Sequence, residues 1–172
     1  MKNQYRKAME ALYIACITLS GLALVAITLI IPAGVFMRYV MNDPLQWPEP
    51  ASVIMMVFFS FVGGAAVYRA NAQIAVEALL RAVPPAVQKA MYWGVQACML
   101  AIGAFMLGYG VILCRTTWGN SMAEFPSLSV GIVYMPIPIG GLLTLLFIIE
   151  KLWLGEPPKD DFMYSDQPAE LE

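Results

Sequence analysis

Four stretches of this chain run without a charged residue for as long as a bilayer crossing requires: Ala11 to Met37, Pro50 to Tyr68, Ala90 to Cys114 and Phe125 to Ile149. Each matches or exceeds the roughly 18–20 apolar residues a helix needs to cross the hydrocarbon core. A segment in lipid has no water to satisfy its backbone groups, so such runs imply helices. They show none of the apolar–polar alternation of a membrane β-barrel. Composition agrees. Of 172 residues, 60% are hydrophobic and 13% charged; soluble domains have about 45–50% and about 25%. A core of this size cannot hide that much apolar surface from water. The expected fold is an all-α integral membrane protein with four transmembrane helices.

The first run follows Lys2, Arg6 and Lys7, as a signal peptide would. It is far longer than the roughly 7–15-residue apolar region of a signal, and it reaches Arg38 without a small-residue cleavage site, so it reads as a retained helix. Pro32 marks a bend or its last turn. The Lys and Arg residues beside the spans set the orientation. Lys2, Arg6, Lys7, Arg69, Arg81, Lys89, Lys151 and Lys159 collect on one side, and only Arg38 and Arg115 on the other. The positive-inside rule then places both termini in the cytoplasm. Residues 1–154 read as the membrane domain. Residues 155–172, rich in Pro, Asp and Glu, read as a disordered cytoplasmic tail. No internal repeat is evident, which argues against a self-contained inverted-repeat transporter.

Several chemistries are disfavoured. The chain has no His, which removes His-ligated haem, His metal sites and His acid–base catalysis. Cys16, Cys98 and Cys114 lie singly in apolar runs and read as packing residues. No catalytic, metal or cofactor constellation emerges, and no basic surface suggests nucleic acid. No Asp, Glu, Lys or Arg lies near the middle of any span, whereas ion-coupled carriers and proton relays normally need such groups there. Pro136, Pro138 and Gly140-Gly141 interrupt the fourth run, with no matching interruption elsewhere, and read as a kink in a packing helix.

Three segments are candidates for contacts. In the first outer loop, Asn42-Asp43-Pro44 is a turn signal and Trp47 suits the headgroup level. Glu49 falls at the start of the second helix, where the dipole favours a negative charge. The loop reads either as an anchored connection or as a docking surface for an outer partner, with an Arg38–Glu49 ion pair fixing it. In the second loop, residues 71–82 have a short amphipathic helical pattern ended by Pro84-Pro85. Gln73, Glu77 and Arg81 share one stripe there, and Glu77→Arg81 is the favoured order for an i, i+4 pair. This segment reads as an interfacial helix, either a passive connector or, with Arg69, a brace against a neighbouring subunit. Inside the spans, Ser60-x-x-x-Gly64 and Ala104-x-x-x-Gly108 are small-residue pairs of the kind that let helices approach closely, with Gly63 beside the first.

These features favour a partner-dependent membrane subunit over a stand-alone small carrier, which wants an embedded carboxylate, or the membrane anchor of a redox enzyme, which lacks its usual haem ligands. One stretch goes further. Arg38-Tyr39, Pro44-Leu45-x-Trp47-x-Glu49, Phe61-Val62-Gly63-Gly64-Ala65-Ala66-x-x-Arg69 and Ile74-x-Val76-Glu77 resemble the small permease subunit of TRAP transporters, the DctQ-like family. Length and four-span topology fit that family end to end. The chain departs from it where Pro50 follows Glu49 and where Gln73 replaces a common His. The resemblance implies a bacterial inner-membrane uptake system in which a periplasmic binding protein delivers an organic acid to two membrane subunits. The large permease subunit would carry the sodium and substrate sites and move as an elevator. This small subunit would scaffold it, with membrane lipids around the remaining faces.

Overall fold

The computed structural model describes residues 2–70, 84–123 and 125–154. Five helices account for most of them: α1 (Lys2–Tyr39), α2 (Pro48–Arg69), α3 (Pro85–Thr117), α4 (Val130–Tyr134) and α5 (Pro136–Leu154). Four spans are long and apolar enough to cross a membrane, with α4 and α5 together forming the fourth, Val130–Trp153. The protein is an all-α membrane protein. Among the described residues the only extended pairing is an isolated antiparallel bridge, Ser121 to Ser129. The expected interfacial helix at residues 71–82 and the acidic tail at 155–172 lie outside the described residues.

The first three helices outrun the uncharged stretches that announce them. α1 has 38 residues, about 57 Å at 1.5 Å per residue, nearly twice the roughly 30 Å hydrocarbon core. It does not end at Pro32 but continues to Tyr39, with Arg38 in its last turn, where a cation complements the dipole. Beyond it, Asn42 adopts φ 54°, a left-handed conformation that Asn tolerates better than most residues. The Asp43 amide donates to the Met37 carbonyl at 3.1 Å and closes the turn. Pro48 then opens α2, a position where its missing N–H costs nothing.

The fourth span begins at Val130, five residues inside the apolar run. Residues before it form a small hairpin, with Val130 N–H on the Asn120 carbonyl (2.8 Å) and Met122 N–H on the Leu128 carbonyl (3.2 Å). Ser129 starts the helix by accepting from Gly131 N–H, and its hydroxyl donates to the Trp118 carbonyl at 2.6 Å. Pro136 cannot donate to the Ile132 carbonyl, which takes Met135 N–H instead at 3.2 Å. The interruption is one residue wide, and α5 runs unbroken through Gly140-Gly141.

The spans are arranged as a row and not as a closed bundle. α1 packs along α2, α2 along α5, and α5 along α3, while α1 and α3 share no substantial contact. Lipid supplies no hydrophobic force between helices, so close backbone approach over small residues does much of the work. The glycine pair of α5 shows how. A Cβ at Gly140 would meet the Phe61 carbonyl oxygen of α2 at 2.8 Å, and one at Gly141 would meet the Leu107 nitrogen of α3 at 2.8 Å. Neighbouring glycines thus seat α5 against both flanking helices. The apolar core lies toward the end where α1 starts and α5 stops, here the termini end: Met9, Tyr13 and Cys16 of α1, Val62, Ala65, Ala66 and Tyr68 of α2, and Leu143, Phe147 and Ile148 of α5. Toward the far end, α1 exposes Leu22, Val25, Leu29, Val35 and Phe36.

Candidate functional site

Polar side chains gather at both ends of the row. At the termini end, Arg69 closes α2 and Glu150 stands one turn before the end of α5. The Arg69 guanidinium donates to Glu150 through Nε (2.7 Å to Oε2) and Nη2 (2.8 Å to Oε1). This two-point fork is the strong geometry for an Arg–carboxylate pair. Both side chains are almost wholly covered, at 3% and 8% exposure. The guanidinium also lies 5.0 Å from the Tyr13 ring of α1 and 5.7 Å from the Phe147 ring of α5, within cation–π range. Lys151 reaches over the rings of Tyr68 (5.7 Å) and Tyr92 (5.5 Å). The buried Tyr68 hydroxyl donates to Gln96 of α3. One knot of polar contacts therefore ties all four spans together at this end.

Arg69 belongs to this knot, whereas the sequence placed it in an inner brace with Gln73, Glu77 and Arg81. Those three lie outside the described residues, so the knot is what the structure shows of Arg69. Glu150, Tyr68, Gln96, Tyr13 and Lys151 were missed by sequence reasoning. A signal was present for the central pair: Arg69 and Glu150 carry opposite charges and each ends an apolar run on the same side of the membrane.

The far end is built differently. Arg38 Nη2 lies 3.0 Å from Glu49 Oε1, and the two side chains are 47% and 75% exposed. Glu49 occupies the first turn of α2. Trp47 immediately precedes α2 and is exposed, as is Asp43. What fixes this rim is close packing over a glycine. Gly34 of α1 has Pro48 so close that an added Cβ would sit 2.9 Å from its Cβ. The Ser52 hydroxyl donates to the Pro48 carbonyl at 2.7 Å.

The small-residue pairs divide unexpectedly. Ser60, Gly64, Ala104 and Gly108 are all exposed, and a Cβ at Gly64 or Gly108 would meet nothing within 4 Å. Gly63, by contrast, faces Ser20 of α1, with 3.3 Å from a would-be Cβ to the Ser20 hydroxyl, and Gly103 faces Leu145 of α5 at 3.1 Å. The spaced pairs therefore lie on outward faces, and their immediate neighbours make the internal contacts. Among the described residues no cluster of His, Cys, Asp or Glu suits a metal ion.

Comparison with known proteins places this architecture. The family model described as "Tripartite ATP-independent periplasmic transporters, DctQ component" matches residues 27–156. The chain is also similar to the C4-dicarboxylate TRAP transporter small permease protein of Vibrio cholerae serotype O1, at 26% identity over 168 aligned residues, covering 84% of this chain and 72% of that protein.

Proposed function

Since the chain belongs to the DctQ component family of tripartite ATP-independent periplasmic transporters, we propose that it is the small subunit that scaffolds a large permease subunit and carries no cargo itself. The observation that carries this reading is the state of its charged groups. The spans have no ionisable residue near their middle, and the buried pair at their end, Arg69 and Glu150, is consumed by mutual hydrogen bonds. A transport site needs groups free to exchange a ligand. A row of four helices also offers two broad faces, which suits a wall better than an enclosed pathway.

In this reading the row sits in the bacterial inner membrane with both termini cytoplasmic. One face meets the large subunit and the rest meets lipid. The rim of Arg38, Asp43, Trp47 and Glu49 faces the periplasm, where the binding protein docks. Gln73, Glu77 and Arg81 brace the inner surface. The substrate is an organic acid, in keeping with the dicarboxylate in the relative's name, and the large subunit couples its uptake to sodium.

Reconstitution tests this directly. Proteoliposomes holding this chain alone move no organic acid under a sodium gradient, whereas adding the large subunit and the binding protein restores uptake. Sodium-driven or proton-driven flux through this chain alone overturns the reading. In mild detergent, a many-spanning partner co-purifies with the chain.

A further inference from the structure

The far end of the fourth span leaves an open groove apart from the polar contacts at either end of the row. It has a volume of about 490 Å3, inside the roughly 300–1,000 Å3 range of small-molecule sites. Close approaches on either side shape it. Gly131 of α4 sits against the Cys114 carbonyl, at 2.7 Å from a would-be Cβ, and Gly110 of α3 sits against Pro138, at 2.9 Å. The single-residue interruption at Met135 falls between them. Cys114, Met135, Pro138 and Ile139 give the groove apolar walls, and Arg115 and Trp118 line it at the end of α3.

Arg115 is the informative residue. It is exposed, lies in the last turn of α3, and forms no ion pair among the described residues. Trp118, beside it, has the chemistry of the headgroup level, so Arg115 lines the groove at the helix end, and the apolar lining residue Val111 lies one turn further into the span. Each simple occupant leaves something unmatched. Water gains little from apolar walls. A free anion satisfies the guanidinium but leaves the slot empty, and a bare hydrocarbon chain fills the slot but leaves the charge without a counterpart. A glycerophospholipid matches both, because its phosphate and acyl chain have the same relative placement.

We propose that this groove is a phospholipid site: an acyl chain from the leaflet opposite the termini lies between α3 and the start of α5, and its phosphate pairs with Arg115. The proposal rests on membrane location and groove chemistry, independent of the transport role.

Native mass spectrometry of the full chain in detergent, titrated with palmitoyl-oleoyl phosphatidylglycerol, tests it. The wild type retains the lipid. Arg115→Gln weakens retention about fivefold, the size of one basic side chain's attraction at an anionic surface, and Arg115→Lys recovers most of it. Ile139→Trp, which fills the slot, abolishes retention, while Ile149→Trp on the exposed face of the same helix does not. Palmitoyl-oleoyl glycerol, lacking phosphate, binds wild type and Arg115→Gln alike. Circular dichroism melting checks that each variant is folded. Equal retention by wild type, Arg115→Gln and Ile139→Trp would mean annular lipid only and overturns the proposal. So does tight binding of glycerol phosphate alone, which would mark a free-anion site. Lipid kept by the isolated chain but absent from the assembled complex would make the groove a partner's seat, and the proposal falls in that case too.

Discussion

The two ends of this helical row solve the same problem by different means. At the termini end, side chains hold the helices: the buried Arg69–Glu150 fork, the Tyr68–Gln96 hydrogen bond and the fully buried Phe147 and Ile148. At the far end, close approaches over glycines hold them: Gly34 against Pro48, Gly110 against Pro138 and Gly131 against Cys114. Among the described residues the one ion pair there, Arg38–Glu49, is open to solvent. A charged pair in a covered site demands one geometry, because any displacement leaves a charge unmatched. Glycine contacts specify separation but present no chemistry outward. The far end is thus fixed in position while Arg38, Asp43, Trp47 and Glu49 stay exposed.

The sharpest way to break this contrast is to unpair the buried fork. Glu150→Ala or Arg69→Ala leaves one covered charge without its partner and should cost about 3–5 kcal/mol, read as a large drop in thermal stability of the detergent-solubilised chain. The double variant Arg69→Met/Glu150→Leu removes both charges and should return close to wild type. If the single variants melt normally, the termini end is not held by this pair. A smaller loss is expected at the glycine contacts. Gly140→Ala sets a methyl 2.8 Å from the Phe61 carbonyl oxygen, and overpacking of this kind costs about 1–3 kcal/mol. Gly108→Ala, where a Cβ meets nothing, should leave the isolated chain intact or stabilise it by up to about 1 kcal/mol through helix propensity. If it nonetheless reduces co-purification of the large subunit, that face of α3 is part of the assembly surface.

The sequence made the four spans legible because run length alone decides them in a bilayer. The turn at Asn42-Asp43 and the start of α2 were legible too, from residue types with local conformational preferences. The inward face of each helix was not. In a soluble helix, apolar residues mark the buried side, but here lipid makes every side apolar, so spacing could not separate Gly63 from Gly64 or Gly103 from Ala104. Only the placement of neighbouring helices decides which small residue is used. The Arg69–Glu150 pair was hidden for another reason: its partners are 81 positions apart, and nothing local in either segment names the other. Their common position at the ends of apolar runs narrows the choice, since an Arg and a Glu at the same depth have strong reason to meet.

The smallest stability effect, and the most telling functional one, is expected at the exposed pair. Both partners of Arg38–Glu49 are open to solvent, at 47% and 75% exposure, so water already solvates each charge and the pair contributes about 0–1 kcal/mol. Arg38→Ala or Glu49→Ala should therefore barely move the melting temperature, in contrast to Glu150→Ala. Two roles for the rim predict different outcomes beyond that. If the pair only anchors the loop, the exchange Arg38→Glu/Glu49→Arg restores attraction across the same gap and uptake returns. If the binding protein reads the rim, the exchange inverts the charge pattern it meets. Then uptake stays low although the loop is held, and Trp47→Ala lowers it likewise with expression kept. We expect the second result. Full uptake in the exchanged variant and in Trp47→Ala would reduce the rim to a structural turn, and the two ends of the row would differ only in how they are fastened.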